Sequence, residues 1–126
     1  MTAPQLLVAA NAAVPQIRVT AIEGTPVLGG AILVRPMLKG AEMTVLEIFY
    51  PKGVASSVHK HAHESMIYVV KGRLRGMIAG SPCELGPGDS CRHPAGVLHS
   101  VEALEDALIV EVKSPAPDIA HFFVTG

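Results

Sequence analysis

Residues 53–64 read GVASSVHKHAHE, and half of the six histidines of this 126-residue chain stand at alternate positions within that stretch. Side chains two positions apart on an extended strand project to the same face. We therefore expect His59 and His61 to point together to one side of a strand. Imidazole suits Zn, Fe, Ni or Cu rather than Mg or Ca, so the stretch predicts either a metal-binding pair or a polar, solvated loop.

A second stretch, residues 88–99, supplies another histidine with a regular set of turn residues before it. It reads GDSCRHPAGVLH, with Gly88, Pro94, Gly96 and His99 at fixed offsets. With average Gly and Pro usage this pattern would occur by chance at on the order of 10⁻⁵ per starting point. An imidazole from this later strand can converge with the earlier pair on one metal ion inside a small barrel.

The two stretches together resemble the paired motifs of the cupin superfamily, written G-x5-H-x-H-x3–4-E-x6-G and G-x5-P-x-G-x2-H-x3-N. The first motif spans about 53–72 and the second about 88–103. The resemblance is closest to small single-domain bacterial cupins of the conserved-barrel type. It implies an all-β fold, a double-stranded β-helix or jelly roll of antiparallel strands. It also implies that His59, His61 and His99 bind a divalent transition metal, with Fe, Mn, Ni, Zn and Cu left open.

The chain departs from the first motif at its acidic position. Counting back from Gly72, the glutamate of the motif falls on Ser65, and Glu64 stands one position early. Strand alternation directs Glu64 to the opposite face unless a β-bulge rotates it inward. Three sites stay open: three histidines completed by water, three histidines with Glu64, His63 or Ser65 in the acidic place, and a degenerate barrel that binds little or no metal. The last position of the second motif is Ala103 rather than Asn.

Two residues beside the histidine pair are candidates for catalysis. His63 has the same parity as His59 and His61, and a histidine at the mouth of a barrel is a candidate general acid or base because its ordinary pKa is about 6.5. Glu64 is a candidate catalytic carboxylate or an acceptor for the N–H of a ligand imidazole. The alternative for both is a supporting or exposed position.

Four further residues are candidates for the walls of a substrate pocket: Ser65, Tyr68, Arg92 and His93. Cys91 and His93 share one face of a strand, and Ser90 and Arg92 share the other. The sequence leaves open which pair faces the interior. An inward Arg92 would anchor a carboxylate, whereas an inward His93 would add an imidazole.

The amino-acid composition limits the classes of protein to which this chain can belong. The chain is 49% hydrophobic and 17% charged with a formal net charge of −1, which excludes a disordered chain and a basic nucleic-acid-binding surface. Twelve Gly and ten Pro favour a turn-rich all-β domain over 1–126, with one helical turn at 118–123. No apolar run reaches the ~18 residues that span a bilayer, and no basic leader precedes the first one. We therefore expect a cytoplasmic protein with Cys83 and Cys91 reduced.

The sequence thus predicts a metal-binding cupin that takes a small-molecule ligand. Three neutral ligands leave the charge of the ion uncompensated, which favours an anionic or enolisable metabolite. Dioxygenase-like and isomerase or lyase chemistry are both implied by the resemblance. The alternatives are a non-catalytic binding or sensing barrel and a barrel with a degenerate site. A homodimer is expected because residues 17–34 are apolar enough to cover a sheet edge.

Overall fold

The computed structural model describes residues 6–126. After a 3₁₀ turn at Asn11–Ala13, the elements are β1 (Ile17–Ile22), β2 (Thr25–Leu28), β3 (Ile32–Lys39), β4 (Thr44–Tyr50), β5 (Ala55–His59), β6 (Glu64–Lys71), β7 (Leu74–Ile78), β8 (Ser81–Leu85), β9 (Ser90–His93), β10 (His99–Ala103), β11 (Ala107–Ser114), α1 (Ile119–Phe122) and β12 (Phe123–Thr125). The first five residues of the predicted 1–126 domain lie outside the described part of the chain.

The strands form an antiparallel jelly roll, which confirms the predicted fold class. The first sheet has the strand order β8-β7-β10-β5-β2, and the second has β1-β3-β4-β11-β6-β9. Pairing of β1 with β2 joins the two sheets, and β12 adds to β1. β5 and β10 thus lie in the first sheet, while β11 lies between β4 and β6 in the second.

Strict alternation of buried and less buried residues explains why these segments form strands. In β4 and β11 every second side chain is buried, and apolar residues such as Leu46, Ile48 and Ile109 occupy these positions. Each fully buried side chain of this size contributes roughly 1.5–3 kcal/mol to folding. The alternation also determines which polar residues of the same strands face the interior.

Gly72 shows why the turns need glycine. Its φ is +86°, and a Cβ at this position would collide with the backbone carbonyl oxygen of Asp106. A left-handed backbone with no room for a side chain admits only glycine. The β6–β7 turn can therefore pack directly against the start of β11.

β8 contains Pro82, and central strands exclude proline because it has no N–H to donate to the ladder. β8 lies at the edge of the first sheet and pairs on one side only, with β7, so a residue without an N–H is tolerated there. The predicted C-terminal helical turn is confirmed as α1, where the Asp118 side chain accepts a hydrogen bond from the Ala120 N–H at 3.1 Å.

Residues 17–34 pair within their own chain, with β1 contacting β2, β3 and β12. The homodimer thus stays a prediction, which sedimentation equilibrium would test. In the described range, 6–126, the fold contains no helix with the length and apolar character needed to span a membrane.

Candidate metal centre

The three histidines named from the two motifs meet at one point inside the barrel. His59 ends β5 and His99 begins β10, and the two residues are direct partners in the antiparallel ladder. His61 lies in the connection after β5, so the expectation that His59 and His61 share one strand is wrong in that detail. The strand ends at His59 and the backbone bends at residues 62–63, so the imidazole of His61 still enters the barrel. The Gly96 N–H donates to the His61 carbonyl at 2.8 Å, which ties the two motif loops together.

The distances between these imidazoles are those of a ligand set. One nitrogen from each of His59, His61 and His99 lies within 4.8 Å of the others. The ring centroids of His59 are 4.5 Å from those of His61 and 4.4 Å from those of His99. All three residues are at most 9% exposed. Imidazole nitrogens bind a transition metal at about 2.0–2.1 Å, so two ligands of one ion lie at most about 4.2 Å apart, and small side-chain rotations bring these three nitrogens onto one ion.

Backbone carbonyls hold two of the rings in one tautomer. Nδ1 of His59 contacts the carbonyl of Ser57, and Nδ1 of His99 contacts the carbonyl of Val97 at 3.2 Å. An Nδ1–H that donates to a carbonyl leaves Nε2 unprotonated and free to coordinate, which is a common supporting arrangement in metal sites. His61 Nδ1 has no hydrogen-bond partner among the described residues and lies 3.7 Å from a Glu23 carboxylate oxygen.

Burial keeps His61 and His99 neutral. Removal from water lowers the pKa of His61 to about 2, and the positive charge of Lys113 and the neighbouring imidazoles lower it further. The pKa of His99 is lowered to about 4, first by burial and then by His93 and His59. Neutral imidazoles are the form that binds metal, so the site is ready for a cation at neutral pH.

A buried ion pair faces the histidines from the second sheet, and the sequence analysis did not single it out. Glu111 and Lys113 follow Ala107 and Ile109 on the inward face of β11, and both line the same cavity as the histidines. Lys113 Nζ lies 3.3 Å from Glu111 Oε1, and the Lys113 side chain is only 2% exposed. Burial raises the pKa of Glu111, but Lys113 and His93 outweigh it and the net shift is downward. The sequence does contain one signal for this pair: Glu111 and Lys113 stand at the same alternate positions of β11 as the apolar, inward-facing Ala107 and Ile109.

The structure places His63 behind the cluster rather than at an open mouth. Its ring stacks on His61 with centroids 4.7 Å apart, and its Nε2 lies 3.2 Å from Lys113 Nζ. Burial, followed by the charge of Lys113, lowers the pKa of His63 to about 4. A neutral Nε2 can accept a hydrogen bond from the Lys113 ammonium. His63 therefore orients Lys113 and packs on His61.

Two of the four predicted pocket residues face inward. His93 stacks on His99 with ring centroids 3.9 Å apart and lines the cavity. Ser65 is 1% exposed, and its Oγ lies 3.5 Å from His93 Nδ1. Ser65 thus contacts His93 rather than joining the group of three ligand nitrogens. The inward pair on β9 is Cys91 and His93, and burial raises the pKa of the Cys91 thiol to about 12.

The other two, Tyr68 and Arg92, lie on the outer face of the second sheet, together with Glu64. Tyr68 is 51% exposed, and Arg92 Nε donates to Glu64 Oε2 at 2.7 Å across the β6–β9 pair. The prediction that Tyr68 and Arg92 line the substrate pocket and that Glu64 acts in catalysis does not agree with this outward position, because none of the three lines the cavity beside the histidines. No bulge interrupts the β6–β9 register, so alternation sends Glu64, Tyr68 and Arg92 outward while Ser65 and His93 point inward.

The C-terminal segment covers the site. Phe122 is 3% exposed, and its ring lies 4.9 Å from His61 and 5.2 Å from His63. The remaining cavity has a volume of about 20 Å³. It is lined by the histidine cluster, the Glu111–Lys113 pair and a shell of apolar and aromatic residues that includes Ile22, Ile32, Ile48, Tyr50, Phe122 and Phe123.

Comparison with known proteins agrees with this geometry. Residues 45–113, more than half of the chain, match the cupin domain family. KdgF from a Halomonas species is 27% identical over 69% of this chain and 81% of its own, with a TM-score of 0.67. An RmlC-like cupin from Shewanella frigidimarina is 28% identical over 76% and 88%, with a TM-score of 0.68.

A predicted oxalate decarboxylase from Thermotoga maritima superposes with a TM-score of 0.75 over 86% of this chain and 99% of its own. At 19% identity it shows a shared fold alone. A search of the curated proteins finds no match.

Proposed function

This chain belongs to the cupin family, and we propose that it is a metal-dependent enzyme acting on a small anionic or enolisable molecule, of the dioxygenase-like or the isomerase or lyase type. The observation that carries the proposal is the convergence of His59, His61 and His99, with ligand nitrogens within 4.8 Å of one another. The cavity next to them, whose lining combines apolar side chains with convergent polar groups, supports a small ligand.

The donor set fits a divalent transition metal. Three neutral imidazoles suit Fe, Mn, Ni, Zn or Cu, and the backbone contacts of His59 and His99 leave Nε2 of each ring available. A bound ion would polarise a carbonyl or carboxylate, or activate O₂. Glu64 does not complete the set, because it pairs with Arg92 on the outer face.

Glu111 is the group that we assign to proton transfer. It is ionised because Lys113 and His93 hold its pKa below the ordinary value. It lines the cavity together with the histidines. A buried carboxylate of this kind can accept a proton from an enolisable carbon or from a bound hydroxyl group. Lys113 holds Glu111 in position through their 3.3 Å ion pair.

Elemental analysis and oxygen consumption test the proposal together. We expect purified protein to hold about one equivalent of a transition metal, and His99→Ala to lose it. Oxygen uptake with small thiols or small carboxylates would identify a dioxygenase. Conversion of a small carboxylate without oxygen would identify an isomerase or lyase.

Tight ligand binding without turnover would contradict catalysis and favour a binding or sensing barrel. Protein that takes up no transition metal when reconstituted would contradict the metal site as a whole. His121→Ala is the matched control, because His121 is exposed and pairs with Asp118 away from the cavity.

A further inference from the structure

We propose that Phe122 and Lys113 together define the ligand class of this site as compact carboxylates of one or two carbons. Phe122 sets the upper limit on size, and Lys113 donates a hydrogen bond to the negatively charged end. The inference rests on the proposed metal site and concerns two residues that neither motif contains.

The size limit follows from the position of Phe122. Its ring packs on His61 and His63, and the space left beside the histidines is about 20 Å³. A single water needs roughly 10–15 Å³ of such space, so the covered site accommodates an ion and a very small group. A bulkier ligand would have to occupy the volume that the Phe122 ring fills.

The segment that carries Phe122 is fixed to the barrel. The Glu23 N–H donates to the Phe122 carbonyl at 2.7 Å, and Phe123 is the ladder partner of Ile22. Phe123 is only 5% exposed and packs edge-to-face on Phe122 at 4.8 Å. Because both aromatic rings are buried and the backbone is paired, Phe122 acts as a wall of the site.

The charge preference follows from the groups around the cavity. Imidazole ligands bring no negative charge to a metal ion, and the carboxylate of Glu111 in the cavity lining is paired with Lys113 at 3.3 Å, so the lining leaves the charge of a bound divalent ion unbalanced. An anion would supply it.

Lys113 Nζ contacts Glu111 and His63 and lies 4.6 Å from the centre of the Phe122 ring. An ammonium has three N–H donors, so one stays available beside the ring for a carboxylate oxygen. The same residue therefore packs under the size-limiting ring and presents a donor to the ligand.

Visible spectroscopy of Co²⁺-loaded protein tests the inference without any turnover. The Co²⁺ bands report entry of formate, acetate, butyrate or benzoate at the ion. We expect the wild type to bind formate and acetate and to exclude benzoate. Phe122→Ala should admit benzoate and change the benzoate-to-acetate ratio of dissociation constants by about 10–200-fold, the scale of steric discrimination in pockets. Val124→Ala, an exposed position on β12 two residues beyond Phe122, should leave the ratio unchanged.

Two further variants protect the test against misfolding. Phe122→Leu keeps an apolar side chain against the histidines and should widen the series to butyrate, and thermal unfolding would verify that it is folded. Glu111→Gln combined with Lys113→Gln keeps a neutral pair in the barrel and should weaken acetate binding about tenfold or more.

The possible failures are distinguishable. Co²⁺ that does not bind would overturn the metal site and this inference with it. Co²⁺ that binds to a wild type accepting benzoate as readily as acetate would overturn the inference alone. An unchanged ratio in folded Phe122→Ala and Phe122→Leu would do the same.

Discussion

The two walls of the cavity, one from each sheet, differ in the kind of polar group that they present. The first sheet and its loop present His59, His61 and His99, which carry no negative charge and whose outward-facing nitrogens contact backbone carbonyls or approach Glu23. The second sheet presents Glu111 and Lys113, which are charged and balance each other at 3.3 Å. The first arrangement is completed by a cation from outside, whereas the second is complete by itself. The first wall therefore supplies the ligands for a metal ion, and the second supplies the charged groups that face the molecule bound to it.

Removal of one imidazole should break the histidine wall with the largest effect of any single change. We expect His99→Ala to lower metal affinity by more than the ~100-fold that loss of a supporting contact costs, because a ligand itself is lost. Equilibrium dialysis followed by elemental analysis measures this. His121→Ala should bind metal like the wild type, and equal stoichiometry in both variants would refute the ligand assignment.

Acidification of metal-free protein should lower the free energy of unfolding through the histidines of the first wall before it affects the ion pair of the second. The folded-state pKa is about 4 for His63 and His99 and about 2 for His61, against 6.5 ordinarily. The unfolded chain therefore takes up protons first, and the free energy of unfolding should fall as pH drops from about 6.5 to 4.5. The total is on the order of 8 kcal/mol, since each of the three groups loses ~1.4 kcal/mol per pH unit across this window.

Urea unfolding at several pH values in the presence of a chelator measures this loss. Glu111 adds its own loss only below its unfolded-state pKa of about 4.5, because its folded-state pKa is lowered, so the window above pH 4.5 isolates the histidines. A stability that is constant from pH 7 to 4.5 would contradict the buried, neutral cluster.

Substitution of one member of the Glu111–Lys113 ion pair should lower the stability of the fold. Lys113→Met leaves the Glu111 carboxylate buried without a counter-charge, which costs about 3–5 kcal/mol in comparable pairs. Glu111→Leu combined with Lys113→Met should recover most of that loss. Urea unfolding would compare them with Arg75→Met, which breaks an exposed 4.0 Å pair and should cost less than about 1 kcal/mol. Equal losses at the two pairs would argue against a buried pair.

The smallest effect is expected outside the barrel. Glu64→Gln removes an exposed ion pair with Arg92 and should change stability by less than about 1 kcal/mol. Metal content should stay at the wild-type value, and elemental analysis of Glu64→Gln beside Arg92→Gln checks this. Loss of metal in Glu64→Gln alone would place that carboxylate in the coordination sphere.

The barrel and the histidine cluster were predictable because local patterns encode both. Alternating apolar positions mark the strands, and the two motifs contain His59, His61 and His99 within short, regular spacings. The structural placement of Ser65 and Glu64 also follows from alternation along a strand without a bulge at that point.

The rest of the site depends on long-range packing that no local pattern contains. Glu111 and Lys113 end an apolar strand, and such charges ordinarily face water; only the parity of β11 indicates that they point inward. Phe122 follows Pro115 and Pro117 in a tail without periodicity. Its position over the histidines depends on the pairing of β12 with β1, about a hundred residues away in sequence.

X-ray absorption spectroscopy of the metal-loaded protein tests the coordination most directly. We predict a first shell with three imidazole nitrogens at about 2.0–2.1 Å, completed by water or an added carboxylate, and two imidazoles in His99→Ala loaded with excess metal to offset its weaker binding. A wild-type shell with fewer than three imidazoles, or one unaltered by His99→Ala, would contradict the assignment of His59, His61 and His99 as the metal site.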